Sequence, residues 1–410
     1  MSNDKSQAAD FFHVSNKQAK PFEIVDPFNP SNTLKGFICR KDGPFGGSLF
    51  ITHVNQVKLN EPQKIYGVPK LLYPYVDKKN SDDLEEFEGA EEIVPKKKKV
   101  PGSCKYKSSF QTDDNIVAFA LTNKWNGTNI LFFKYYDNSG QMFVSAKTKG
   151  SATLSDTQFG DFFALTKEAL FGKNHSERTL DISHPPEVLH EFFKRPEIQS
   201  ISCELCGIKE PHLVKYDFDI ALKPLFMQFK SGGNIEPIID PNDTHQQLFE
   251  FVNFADMCHI CKERQKHDFA LNDEYRKKNN LEIRYEYNHF ATEGAVLYIL
   301  TKPNRLLGQY NFGNDWIGVS NRKLYKIKPK DIEEVHWGTF GEKQKSLVEI
   351  AVKKLRLREK EFSKDSLREE LDIGPKEFKR YQNDILQYAR QYFNSMPKTS
   401  KSSKTNKKKK

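Results

Sequence analysis

The sequence predicts an α+β protein: antiparallel sheets flanked by helices, then a C-terminal domain built only of helices. Three observations predict it. Apolar runs of strand length, rich in β-branched and aromatic residues, recur from residue 34 to residue 328. Segments of helical spacing interrupt them. From about Lys343 the period turns helical and stays so. The 410 residues suit two or three folded units, and 32 Phe with 16 Tyr supply apolar mass for real cores, which excludes a wholly disordered chain.

Residues 1–20 are polar and are expected as a disordered tail. Residues 21–110 read as a β-rich N-terminal region, with GGSLFITHV and IYGVPKLLYPY between Gly and Pro breaks. It is either a separate small β domain or an upstream extension of the next one. Inside it lies a charged linker, 77–101, acidic and then basic, with no periodic apolar face. Residues 111–335 hold the strand candidates IVAFALTN, ILFFKYYD, MFVSAKTKG, IQSISCELCG, HLVKYDFDIALKPLFMQF, GAVLYILTK and KLYKIKP. Helices are expected at TQFGDFFALTKEALFG and HPPEVLHEFFKRP, the second with Pro in its first turn. Residues 340–395 give SLVEIAVKKLRLREKEF, then DSLREELDIG ending at a Gly, then PKEFKRYQNDILQYARQYF restarting at a Pro. A basic tail, 396–410, closes the chain.

No uncharged apolar stretch approaches about 18 residues, so no membrane-spanning helix is expected. The first residues lack a basic start followed by an apolar run, so no secretory signal is expected. Six Cys are too few for a disulfide scaffold of this length and suit a reducing compartment, nuclear or cytoplasmic. Pro95–Val100, PKKKKV, resembles a nuclear import signal, although a solvated linker reads the same way. The net charge of +9 is local. Gly341–Lys410 carry 20 Lys/Arg against 10 Asp/Glu, which leaves the first 340 residues one charge negative. That basic end suits a polyanion such as nucleic acid, or simply a solvated tail.

The sharpest local feature is LTNKWNGTNILFF. Lys124 ends an apolar strand and is followed by Asn126-Gly127-Thr128, where a glycine would let a ligand approach the backbone. A lysine so placed can act as a nucleophile if burial or neighbouring cations depress its pKa. Taken alone, the pattern also describes an exposed turn lysine.

Further motifs follow in a fixed order: Lys147-Thr148-Lys149-Gly150-Ser151, Ser202-Cys203-Glu204-Leu205, Tyr216-Asp217-Phe218-Asp219-Ile220, Glu293-Gly294-Ala295-Val296 and Leu324-Tyr325-Lys326-Ile327-Lys328. Together with Lys124-Trp125-Asn126-Gly127 they resemble motifs I, Ia, III, IIIa, IV and V of the covalent nucleotidyltransferases, the superfamily of polynucleotide ligases and mRNA capping enzymes. The resemblance spans about 115–330. It implies a nucleotidyltransferase domain of the ATP-grasp-like ligase kind. In it Lys124 receives the nucleotide from ATP, and Mg2+ or Mn2+ is supported by Glu293. The resemblance also implies a cofactor set of Lys124, Asn126, Gly127, Lys149, Glu204, Phe218, Glu293, Lys326 and Lys328. Lys326 and Lys328 alternate along a strand and would hold phosphate oxygens from one face. Lys149 would reach a phosphate, with Lys147 on the same face as its rival. Glu204 would accept from the ribose hydroxyls. Phe218 would stack on adenine, with Tyr216 as its rival. Lys70, in GVPKLLYPY, either contacts triphosphate or RNA or belongs to a packed turn.

DNA ligases and capping enzymes follow motif V with an oligonucleotide-binding barrel. Here only 82 residues follow Lys328, and they read as helices. That resembles the phage tRNA-repair RNA ligases, as do the Lys-Gly-Ser of motif Ia and the Glu-Leu-x-Gly run at Glu204. The resemblance therefore implies an ATP-dependent RNA ligase, a monomer active in RNA repair. It would join RNA 5′-phosphate and 3′-hydroxyl ends through lysyl-AMP and an adenylylated RNA. The alternatives are a DNA ligase, a capping nucleotidyltransferase, or a non-catalytic RNA-binding protein on the same fold. Two departures stand out. Two lysines compete in motif Ia, and motifs I to V span 204 residues, with the excess mainly in 225–285. Cys203-x-x-Cys206 and Cys258-x-x-Cys261 could form a zinc site, but buried free thiols are the simpler reading.

Overall fold

The structure is a computed structural model, and it describes residues 2–41, 43–76, 105–106, 116–156, 161–173, 180, 183–210, 212–240, 242–283, 288–301, 318–332, 342–357, 363–371 and 375–396. The expected linker 77–101, the import-like segment within it, and residues 397–410 of the basic tail lie outside the described residues. The chain divides into two compact units, Met1–Lys330 and Asp331–Lys410. It is a mixed α+β chain with antiparallel sheets. Among the described residues no helix is long and apolar enough to cross a membrane.

The first unit holds three principal sheets. Strands β1 (Ala19–Val25), β2 (Thr33–Cys39), β3 (Leu49–Val54) and β4 (Val57–Ile65) form an antiparallel meander. The second sheet runs β10 (Met142–Thr148), β9 (Thr128–Tyr136), β11 (Ile198–Cys206), β12 (Ala221–Phe229), β13 (Ile235–Pro237). The third runs β14 (Gln247–Glu250), β8 (Ile116–Asn123), β15 (Ala295–Thr301), β16 (Gly318–Ile327), β5 (Leu71–Leu72), with only the β16–β5 pair parallel. A small pair joins β6 (Tyr75–Val76) and β7 (Lys105–Tyr106).

Period-two alternation explains how the sheets stack. In the third sheet Phe119, Leu121, Leu297, Tyr325 and Ile327 face helix α4 (Phe254–Lys278) through its Met257 and Cys261. The alternate residues Ala120, Val296, Tyr298 and Leu324 meet Phe226 and Ile235 of the second sheet. The far side of the second sheet packs on α2 (Phe162–Phe171), the 3-10 turn Glu187–Leu189 and α3 (His190–Lys194). The meander shares Leu34, Leu49 and Ile65 with Phe133 and Tyr135 of β9. The N-terminal region is thus an extension of the first unit and not a separate domain.

Two expectations are corrected. The supposed disordered start is helix α1 (Ser2–Phe11), and β1 begins already at Ala19. Its polar composition hides one apolar stripe, since Ala8, Ala9 and Phe12 are buried against Cys39 and Phe50. The run HLVKYDFDIALKPLFMQF is not one strand: residues 212–220 are irregular, and only Ala221–Phe229 pairs. The stretch 225–285 holds most of β12, β13, β14 and α4.

The second unit contains α5 (Glu342–Leu357), α6 (Lys364–Leu371) and α7 (Pro375–Ser395). Their core is Val348, Val352, Leu355, Leu367, Phe378, Ile385 and Ala389. The last helix starts at its proline, whose missing N–H costs nothing in a first turn.

Candidate active site

Three strand ends meet at one edge of the third sheet. Ala295 pairs with Asn123 on one side and with Ile327 on the other. Lys124 is the residue after β8, Lys328 the residue after β16, and Glu293 lies two residues before β15. The Lys124 N–H donates to Gly294 O at 2.8 Å and locks the first of these ends. Gly294 takes a φ of +118°, and a Cβ there would lie 2.3 Å from Ile327 O, so the approach to β15 requires glycine.

The side chains converge on Glu293. Lys124 Nζ donates to Glu293 Oε2 at 2.7 Å, and Lys328 Nζ sits 2.6 Å from Oε1. Asn126 Nδ2 donates to Oε2 at 2.9 Å. Lys328 and Glu293 are buried, while Lys124 keeps 15% of its side chain exposed, enough to meet a substrate. Burial lowers the Lys328 pKa, with Glu293 opposing and Lys124 assisting the shift. Lys326 is pushed down to about 8, chiefly by burial and then by the Lys328 and Lys124 charges. Its ammonium also stands 4.0 Å over the ring of Tyr73, a residue the motif order does not single out. Lys70 is exposed, and its charge adds to the lowering of Lys326.

The second sheet brings up Glu204. Its Oε1 accepts the Gly127 N–H at 3.1 Å, and Asn129 Nδ2 approaches Oε2 at 3.4 Å. Burial lifts this carboxyl to about 7, with Lys124 opposing and Glu293 adding to the rise. The register of β11 against β12 shifts between Ser202 and Cys203, beside Pro224, which has no N–H for a regular ladder. Gly127 has a different task from the expected one. A Cβ there would sit 2.1 Å from Leu205 O, so this glycine admits β11 and not a ligand.

Tyr216 is buried and fastened to the loop. Its hydroxyl accepts the Asn126 N–H at 2.8 Å and donates to Asn126 O at 3.3 Å. Phe218 is more open, and its ring lies 5.0 Å from Tyr216 at a tilt. Lys223 lies 4.8 Å over both Phe218 and Trp125, a contact that reflects tertiary folding and no visible motif.

Lys147 and Lys149 do not share a strand face. β10 ends at Thr148, so Lys149 falls in the following turn. Lys147 is fully buried, donates to Thr148 O at 2.8 Å, and is lowered to about 7 by burial and then by Arg40 and Lys149. Cys203, Cys206 and Cys261 are buried free thiols, Cys258 is partly buried, and burial raises all four pKa values. Among the described residues no His, Cys, Asp or Glu are gathered in threes as a metal group.

A cluster of this kind, a part-exposed lysine with a buried carboxylate and two further ammonium groups beside it, has the charge distribution for nucleophilic attack on a phosphate. No model of a known protein family matches the chain, and no curated protein matches it either.

Proposed function

We propose that this protein is an ATP-dependent RNA ligase of the covalent nucleotidyltransferase kind. One observation carries the reading. Lys124, Lys328 and Asn126, far apart in the chain, converge on Glu293. In the first step Lys124 Nζ attacks the α-phosphorus of ATP. A P–N bond forms, the bond to the β-phosphate oxygen breaks, and pyrophosphate leaves. The amine must shed a proton, and Glu293 Oε2, 2.7 Å away, is within reach of it. Lys326 and Lys328 offset charge on the phosphate oxygens. AMP then passes to an RNA 5′-phosphate, and a 3′-hydroxyl displaces it. Glu204 serves the ribose, Phe218 the adenine face, and Lys149 a phosphate.

The acidic groups of the site are the carboxylates Glu204 and Glu293, hard oxygen donors that suit Mg2+ or Mn2+. Such an ion is held by one or two carboxylates together with substrate phosphates, and Glu293 would hold it. Bound there, it neutralises phosphate charge. An RNA-repair role in nucleus or cytoplasm, as a monomer, belongs to the same proposal. So does RNA binding by the helical unit, through phosphates.

The test is incubation with ATP labelled at the α-phosphate and a divalent metal, read on a denaturing gel beside Lys124→Ala. Label held by the wild type, absent from the variant and released by 5′-phosphorylated RNA is the expected result. Label from GTP alone moves the chemistry to capping. With no label from either nucleotide, the catalytic reading falls and an RNA-binding protein remains.

A further inference from the structure

Helix α4 turns a polar row as well as an apolar one toward the third sheet. Met257, Cys261, Asp268, Asn272 and Arg276 are its buried residues, and spacing of three or four keeps them on one face with Arg264 and Gln265. Buried polar side chains are costly unless each is bonded. These are bonded, and their partners are the segments that carry the site.

Arg264 donates from Nε to both oxygens of Asp268, at 2.9 and 3.0 Å. Its Nη2 donates to Asn123 Oδ1 at 2.9 Å, one residue before Lys124. Gln265 Nε2 donates to Lys328 O at 2.9 Å. Asn272 Oδ1 accepts the N–H groups of Ala291 and Thr292, both at 2.9 Å, and its Nδ2 donates to Thr292 O at 3.0 Å. Thr292 immediately precedes Glu293. Ala291 and Thr292 also precede β15, so Asn272 supplies the acceptor that a neighbouring strand would otherwise provide.

We infer that α4 is the positioning element of this site. Asn272 sets the turn that aims Glu293, while Arg264 and Gln265 hold the strand ends that carry Lys124 and Lys328. The inference rests on the proposed nucleotidyl transfer, and it gives 254–278 a task that its sequence does not announce. Asn272 touches no reacting atom. Its effect passes through the Glu293 carboxylate, whose displacement by a fraction of an ångström weakens both ammonium contacts.

Two measurements decide it. Single-turnover labelling of Lys124 gives a rate constant that does not depend on the fraction of folded enzyme. Asn272→Ala should lower that constant by about tenfold or more, with little change in the ATP concentration dependence. Asn272→Asp, which keeps the acceptor for both N–H groups, should recover part of the rate. An unchanged rate constant overturns the inference. The second measurement needs no activity: competitive acetylation of the unliganded protein, read by mass spectrometry. An amine bonded to a carboxylate stays protonated and reacts slowly, so Lys124 and Lys328 should acetylate several-fold faster in Asn272→Ala than in wild type, relative to exposed Lys17 and Lys20. If Asn272→Ala fails to fold, Arg264→Lys keeps a charge beside Asp268, gives up the bond to Asn123, and should accelerate Lys124. Unchanged acetylation in the folded variant overturns the inference. A wild type that takes no nucleotide sinks the ligase reading alone, and the acetylation pattern still decides the positioning.

Discussion

Glu293 balances two ammonium groups on one carboxylate, and it does so almost out of solvent. Removing one member of a buried ion pair leaves an uncompensated charge and costs about 3–5 kcal/mol. Glu293→Gln keeps the shape and strands Lys328, so its urea midpoint should fall by an amount in that range, and the covalent label should vanish. Glu204 gives a pH signature. Burial raises it from 4.5 to about 7, so between those values the folded chain keeps a proton that the unfolded chain has released. Stability from the neutral carboxyl is therefore lost as pH rises through that window. Glu204→Gln should show a similar unfolding midpoint to wild type near pH 4.5 and a relative gain by pH 8, in urea titrations at both. Residue types at this scale were legible in the motif order: Lys124, Glu293, Lys326 and Lys328 do gather. The bond network was not. Nothing in Lys-Trp-Asn-Gly says that Asn126 will bind Glu293, or that Gly127 exists to let Leu205 come close.

Strands declare themselves by alternation, and β8, β9, β11 and β15 are where the apolar runs put them. What alternation cannot give is where pairing stops. Lys149 falls one residue beyond β10, and the run around Tyr216 leaves the sheet because Tyr216 is fastened to Asn126. Helix α1 was hidden by its polar composition, since only Ala8, Ala9 and Phe12 need be apolar to seat it. Helix α4 was hidden for the opposite reason: its inward face is partly polar, so it lacks the apolar stripe that announces a core helix. Element contacts also make a prediction at Gly127. A methyl group 2.1 Å from Leu205 O must push β9 and β11 apart. Gly127→Ala should cost about 1–3 kcal/mol in chemical denaturation and slow nucleotide labelling, because Glu204 loses its place against the Gly127 N–H.

Two units divide the proposed chemistry as they divide the chain. Every candidate site residue lies before Lys330, whereas the basic surplus lies after Gly341. A chain ending at Lys330 should still take the label from ATP and should lose most of its joining of RNA ends, measured as product per adenylylated protein. The helical end was legible because caps and period agree there. The N-terminal meander's union with the first unit was not, since it depends on contacts between residues about a hundred positions apart. The alignment of strand ends at Ala295 has a consequence during synthesis. Lys124 and Glu293 stand 169 residues apart, and both partners of β8 come after residue 246. At about 5–20 residues per second, the nascent lysine waits roughly 10–30 s for its carboxylate. Throughout that interval Ile116–Asn123 is an apolar strand with both hydrogen-bonding edges open, the kind that adds onto a neighbouring chain. Recovery of this protein from a crowded ribosome will therefore follow the supply of chaperones that shield that strand, more than the stability of the finished fold.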